Sequence, residues 1–209
     1  MSTAKNYRYA STFVRRPRSR LVVSPTMGIG PDLKAELVKA VREQGFERRS
    51  EPFQLTSGGW SHDYVDGKYA LSRGSVLRRA AEGVYDSVGS EFTAVGGPTM
   101  GADALAHAVC LISGCSWFSV RKEAKGHGRR SSVEGARLDN AASVLMIEDV
   151  VSTGASLLRA ADHVRDLGAT IVAATALVDR SPRVAEAFRE AGIRWEPLLT
   201  WEDLQIDPL

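Results

Sequence analysis

Apolar and polar positions along this chain form blocks that predict strands and helices in alternation. Short apolar runs typical of buried strands occur at residues 92–96, 117–121, 143–147 and 170–178. Segments with helical periodicity occur at residues 31–44, 71–88, 101–112, 156–167 and 183–191. Residues 53–69 alternate around a glycine pair and predict a hairpin. Strands that alternate with helices indicate an α/β fold with a central parallel sheet flanked by helices.

The segment 144–156 is the strongest candidate for a functional site. It is an apolar strand that ends in two acids, followed by small residues and a helix start. Loop N–H groups at a helix N-terminus beyond a parallel strand bind phosphate, and the acids suit sugar hydroxyls. The pattern therefore predicts a sugar-phosphate site; an Asp-capped helix after a core strand is the alternative. The candidate residues are Glu148, Asp149, Val150, Val151, Ser152, Thr153, Gly154, Ala155 and Ser156.

A glycine-containing turn at residues 96–103 follows another predicted strand. Glycines allow backbone N–H groups to approach a phosphate closely, and a tight strand-to-helix turn is the alternative. The candidate residues are Gly97, Pro98, Thr99, Met100 and Gly101.

The loop at residues 122–134 combines glycines with basic side chains, among them Lys122, Lys125 and His127. Glycine permits a loop to close, and positive groups stabilise an anionic leaving group as it departs. Closure also excludes water from an activated sugar. A solvated basic surface loop is the alternative.

These segments resemble the motifs of type I phosphoribosyltransferases, in the order in which that family has them. Residues 144–156 resemble its signature for 5-phosphoribosyl 1-diphosphate (PRPP), and residues 96–103 resemble its pyrophosphate loop. Three more segments resemble the orotate branch of the family: its pyrimidine-side segment, mobile catalytic loop and last sheet strand match residues 53–66, 121–135 and 178–180. The Lys125-x-His127-Gly128 pattern separates this branch from purine and uracil relatives.

The resemblance implies a fold and a reaction. It implies the type I phosphoribosyltransferase fold for a single domain at 28–209, with a small hood from about residues 45–70 and 193–209. The implied reaction transfers ribose 5-phosphate from PRPP to N1 of orotate, which gives orotidine 5′-monophosphate and pyrophosphate in UMP synthesis. Mg²⁺ is the expected cofactor, carried by PRPP without protein ligands. A homodimer with shared active sites is also implied, because the family's loop reaches into the neighbouring site.

The same resemblance gives roles to individual residues. Lys125, His127 and Asp149 are the expected catalytic residues, with Lys125 at the transition state and His127 hydrogen-bonding or protonating the departing pyrophosphate. Arg121 and Lys122, together with Lys125 and His127, are expected to bind PRPP or pyrophosphate. The residues expected to bind orotate are Tyr64, Val65, Ser152 and Arg180.

Arg180 bears on substrate identity, because orotate has a carboxylate that a guanidinium can pair with and uracil has none. The alternative for Arg180 is a structural salt bridge, and the alternative for Tyr64 and Val65 is packing within the hairpin.

Three departures from the family pattern keep other functions open. Met100 and Thr56 stand where the family commonly has lysine, and Gly59 stands where it often has arginine. One alternative is a phosphoribosyltransferase for a different base. The other is a non-catalytic regulator that senses PRPP or nucleotides on the same fold.

The net charge of +2 conceals an uneven distribution. Residues 1–27 carry six basic and no acidic side chains, so the remaining 182 residues, with 21 Lys and Arg against 25 Asp and Glu, are net acidic. We expect 1–27 to be a disordered basic arm, or an extension upstream of a native start at Met27. We expect no nucleic-acid partner and no membrane association, because the folded domain is net acidic and no segment is apolar enough to span a bilayer. A cytoplasmic location is therefore expected.

Overall fold

The computed structural model describes residues 28–54, 58–122 and 132–209. Its described helices are α1 Pro31–Ala40, α2 Gly67–Ala70, α3 Gly74–Val88, α4 Asp103–Ser113, α5 Ala155–Asp166 and α6 Val184–Glu190. Its described strands are β1 Phe46–Gln54, β2 Trp60–Val65, β3 Ala94–Pro98, β4 Ser116–Val120, β5 Val133–Gly135, β6 Ser143–Val151, β7 Thr170–Asp179 and β8 Leu199–Thr200. The basic segment 1–27 lies outside the described residues.

The central sheet has the strand order β5-β4-β3-β6-β7-β8. All neighbours are parallel except β4 and β5, which are antiparallel. The predicted α/β fold with a parallel sheet is therefore confirmed. This order brings the carboxyl ends of β3 and β6 side by side at one edge of the sheet, where ligands of such folds bind.

Both faces of the sheet are covered by helices. Leu145 and Ile147 of β6 enter a core shared with α1, α3 and α4, whereas Val144 and Met146 enter a second core shared with α5 and α6. A strand buried on both faces needs apolar residues at consecutive positions, which is why residues 143–147 lack alternation.

The antiparallel hairpin β1–β2 and helix α2 form a small structure beside the main sheet. From here on, the hood means this part alone (residues 46–70), without the segment 193–209 that the resemblance assigned to it. The hairpin begins at Phe46, whereas the sequence predicts its start at residue 53. Residues 47–52 are exposed, so no apolar alternation marks this part of the strand. Residues 55–57, which include Thr56, lie outside the described residues.

Several further boundaries differ from the prediction; helix α2, for example, lies within the predicted hairpin segment 53–69. Strand β6 continues to Val151, past the predicted end at 147, because the ladder with β7 pairs Glu148 with Ala176 and Val151 with Asp179. Backbone pairing does not depend on side-chain polarity, so acids can occupy the end of a buried strand. Helix α1 ends at Ala40 and continues as a π-helical turn to Gly45. A search of the described helices finds none that is long and apolar enough to cross a bilayer.

Candidate active site

A cleft of about 780 Å³ lies at the carboxyl ends of β3 and β6. It brings together residues from three predicted segments and from the hood. The residues that line it are Lys68, Pro98, Thr99, Met100, Gly101, Lys122, Glu148, Asp149, Val150, Val151, Ser152, Thr153, Gly154, Ala155, Ser156, Leu157 and Arg159. Every candidate residue of segment 148–156 thus faces one cavity, together with most of the glycine turn.

The phosphate-binding candidate is the turn between β6 and α5. Gly154 adopts a left-handed conformation with φ of 77° and precedes the first residue of α5. A side chain there is disfavoured twice, because its Cβ would also lie 2.9 Å from the ring of Phe188. The Thr153 hydroxyl oxygen accepts a hydrogen bond from the Ala155 N–H at 3.4 Å. This geometry points the exposed N-terminus of a twelve-residue helix into the cleft, where its N–H groups suit a phosphate.

The acid pair sits at the end of β6, and both carboxyl side chains are largely buried. The Val150 N–H donates to Asp149 Oδ1 at 2.8 Å, and the Asp149 N–H donates to Glu148 Oε1 at 3.3 Å. Burial, followed by the negative charge of Asp149, raises the pKa of Glu148 well above its ordinary value. Because its ionised form is disfavoured by burial and by Asp149, a hydroxyl donor or a cation that enters the cleft would stabilise the Glu148 carboxylate.

Close backbone approach explains the glycines of the turn after β3. A Cβ on Gly97 would overlap the carbonyl oxygen of Ile147 on the adjacent strand. A Cβ on Gly101 would lie 2.5 Å from Asp149 Oδ1 and 2.6 Å from Glu148 Oε1. The turn is therefore in direct contact with the acid pair. Met100 projects from it into solvent and is 73% exposed.

The stem of the loop at residues 122–134 is described, but its tip at 123–131 is not, so Lys125 and His127 lie outside the described residues. Lys122 lines the cleft. Arg121 does not line it; its guanidinium donates two hydrogen bonds to Glu134, at 2.7 and 2.9 Å, across the base of the loop. A pyrophosphate contact through Nε and Nη2 of Arg121 would compete with this pairing.

The structure separates the predicted orotate-binding residues. Ser152 lines the cleft, whereas Tyr64, Val65 and Arg180 do not. The Tyr64 hydroxyl donates to Asp66 at 3.3 Å, and burial raises the pKa of Tyr64. These three roles stay predictions.

Arg180 is 2% exposed at the end of β7, beneath the hood. Its Nη1 donates to the Asp63 carbonyl oxygen at 2.7 Å and its Nη2 to the Asp207 carbonyl oxygen at 3.5 Å. Burial lowers the pKa of Arg180, and its buried Nε has no hydrogen-bond partner among the described residues. A base carboxylate that paired with Nη1 or Nη2 would compete with these carbonyl groups.

Comparison with known proteins matches this architecture to one family. The sequence pattern of the phosphoribosyl transferase domain matches residues 71–187. An orotate phosphoribosyltransferase of Methanosphaera stadtmanae is 35% identical over 81% of this chain and 94% of its own. One of Methanothermobacter thermautotrophicus is 36% identical over 82% of this chain and 94% of its own. This chain belongs to the orotate phosphoribosyltransferase family.

Solved structures of the family share the fold. The orotate phosphoribosyltransferase of Mycobacterium tuberculosis, crystallised with Fe(III) dicitrate, superposes with a TM-score of 0.72 at 32% identity, covering 83% of this chain and 99% of the other. The same protein in complex with PRPP superposes with a TM-score of 0.67 at 28% identity, covering 84% of this chain and 93% of the other. The resemblance and the type I phosphoribosyltransferase fold inferred from the sequence are confirmed.

Three cleft residues of this phosphoribosyltransferase were missed by the sequence reasoning: Lys68, Leu157 and Arg159. Arg159 lies three residues after Ser156 on the same helix face, and its Nη2 donates to the Ser156 hydroxyl at 3.3 Å, so helical spacing contained the signal. Lys68 reaches the cleft only because the hood packs on β6, and no local spacing indicates that. Within the described ranges no group of three or more His, Cys, Asp or Glu is placed to hold a metal ion.

Proposed function

We propose that this protein is an orotate phosphoribosyltransferase, which transfers ribose 5-phosphate from PRPP to N1 of orotate and releases pyrophosphate. The observation that carries the proposal is the meeting of an acid pair, a helix N-terminus and a glycine turn in one cleft. The names of relatives that match over nearly their whole length support orotate as the acceptor base.

Each part of the cleft suits one part of PRPP. The turn before α5 offers N–H groups to the 5′-phosphate, and the carboxylates of Glu148 and Asp149 accept hydrogen bonds from the ribose hydroxyls. The glycine turn and Lys122 border the space for the diphosphate. Departure of pyrophosphate leaves a positively charged centre at ribose C1, so catalysis depends mainly on positioning and on cations near the departing oxygens. Lys125 and His127 are proposed for that task.

Mg²⁺ is proposed to arrive with PRPP, bound by diphosphate and ribose oxygens and water. When bound, the ion neutralises part of the charge of the leaving group. The residues of the cleft contribute carboxylate acceptors and N–H donors around the substrate.

A homodimer is part of the proposal. His107 and Trp117 contact each other with ring centroids 4.5 Å apart, and Leu111, one helical turn after His107, is 85% exposed. Apolar side chains grouped at the surface favour an interface. Light scattering of the wild type and of Leu111→Glu would test it: a wild-type monomer would refute the dimer.

The assay of the function uses purified protein with PRPP, Mg²⁺ and a panel of orotate, uracil and purine bases. Pyrophosphate release with orotate alone is expected. Release with a different base would favour another acceptor, and PRPP binding without release with any base would favour a regulator. The expected cytoplasmic location stays a proposal that cell fractionation would test.

A further inference from the structure

Lys68 is a hood residue with two carboxylate neighbours. Helix α2 begins after Asp66, whose carboxylate accepts hydrogen bonds from the N–H groups of Lys68 and Tyr69. The Lys68 Nζ lies 3.1 Å from Asp66 Oδ1 and 3.7 Å from Asp149 Oδ2. Its side chain is 52% exposed and lines the cleft. The hood thus contributes one cation directly to the edge of the acid pair.

The carboxylate of Asp149 is held from several directions. A Cβ on Gly67 would lie 2.6 Å from Asp149 Cβ, so the hood backbone packs against the aspartate, while Gly101 packs against Oδ1 from the other side. The Val150 N–H fixes Oδ1 at 2.8 Å. Oδ2 is the oxygen that faces Lys68.

Two of the basic residues that line the cleft, Lys122 and Lys68, act on different acids, whereas Arg159 bonds to the Ser156 hydroxyl. Lys122 acts on Glu148 and lowers its pKa, against the raising effects of burial and of Asp149. Lys68 acts on Asp149, and the carboxylates of Asp149 and Asp66 raise the pKa of the Lys68 ammonium group against the lowering effect of burial. Met100 occupies the turn that borders both acids and contributes no charge.

We propose that Lys68 is a positioning residue of the PRPP site, which orients the Asp149 carboxylate and balances the charge of the acid pair so that it can accept the ribose hydroxyls. The inference rests on the proposed function for the presence of PRPP. Lys68 acts through Asp149, and the ionisable groups around it are Asp66, Tyr64 through its bond to Asp66, Asp149, Glu148 and Lys122.

The test compares Lys68→Met and Lys68→Arg with the wild type, by calorimetric titration with PRPP in the presence of Mg²⁺ at pH 6 and pH 8. Lys68→Met should weaken PRPP binding by about fivefold, the upper range for a partly exposed ion pair. The loss should be larger at pH 6, because Glu148, whose pKa is raised by burial and by Asp149, binds a proton more readily there and the variant lacks the nearby ammonium group that opposes protonation. Lys68→Arg should restore most of the affinity. Lys39→Met, which removes an exposed lysine whose Nζ lies 3.9 Å from Glu43, is the matched control.

Each outcome decides the role. Equal PRPP affinities of the wild type and Lys68→Met would overturn the proposed role. A loss of affinity that is the same at pH 6 and pH 8, and that arginine does not rescue, would also overturn it, because it would indicate a structural role. The readout needs no orotate. If the wild type binds PRPP but does not turn over orotate, the acceptor assignment fails while the Lys68 comparison still decides its own question. A wild type that fails to bind PRPP refutes both proposals.

Discussion

Replacement of Gly101 by alanine tests the contact between the glycine turn and the acid pair. The new Cβ would lie 2.5 Å from Asp149 Oδ1 and 2.6 Å from Glu148 Oε1, whereas real Cβ contacts essentially never fall below 3.0 Å. The turn or the acids must therefore separate by about 0.5 Å or more. Asp149 cannot retreat toward the hood, because Gly67 already packs against its Cβ.

The magnitude follows from this overlap. Inserting a methyl group into a closely packed site costs about 1–3 kcal/mol, and a shift of the acids also misplaces the acceptors for the ribose hydroxyls. We expect Gly101→Ala to weaken PRPP binding by about tenfold to a hundredfold, and to lower the melting temperature by several degrees. Calorimetry with PRPP and Mg²⁺ and a thermal melt measure the two effects.

Gly74→Ala is the matched control for this prediction. Gly74 is the first residue of α3, and a Cβ there meets nothing within 4 Å. The same methyl group should leave PRPP affinity unchanged and add about 0.5–1 kcal/mol of stability. If Gly101→Ala bound PRPP and melted like the wild type, the contact between the turn and the acids would not exist as described.

Three further predictions address the remaining groups. Lys125→Ala should reduce turnover by orders of magnitude with PRPP affinity largely intact; an equal loss of affinity would assign Lys125 to binding. Arg180→Ala should raise the KM for orotate, and an unchanged KM in a folded variant would remove Arg180 from the base site. Glu148→Gln should raise the melting temperature relative to the wild type, increasingly as pH rises above the ordinary carboxyl pKa of 4.5. The folded state there binds more protons than the unfolded state, so the stability of the wild type falls with rising pH; a gap that shrinks with pH would contradict this.

The sequence predicts most of the sheet because strands buried on both faces are continuous apolar runs. Residues 143–147 and 170–178 follow that rule, and helix α5 between them has clear amphipathic spacing. The exposed residues 47–52 and the two-residue strand β8 do not, because their pairing depends on partners distant in the chain. Strand β5, inside the predicted loop, was missed for the same reason.

In the candidate site, too, residues from one local segment could be predicted from the sequence, whereas residues brought in by tertiary packing could not. The segment Glu148–Ser156 is local, so its residues could be identified together from the sequence, and all of them line the cleft. Lys68 joins the site through the packing of the hood, which residue spacing does not show. The contact of Arg180 with the base, which the resemblance of residues 178–180 implies, stays a prediction; in the structure its guanidinium donates to two backbone carbonyl groups. Hydrogen bonds from distant segments are the part that a linear pattern omits.

The packing of Gly67 and Gly101 around Asp149 means that the two acids of the pair are not interchangeable. The two glycines approach the Asp149 side chain so closely that the extra methylene of a glutamate would press against one of them. The candidate site therefore depends on packing between three segments of the chain, although the recognisable sequence motif occupies only one of them. A protein that keeps the acids and the small-residue turn but has a bulky residue at either glycine position would match the linear motif and lack the pocket.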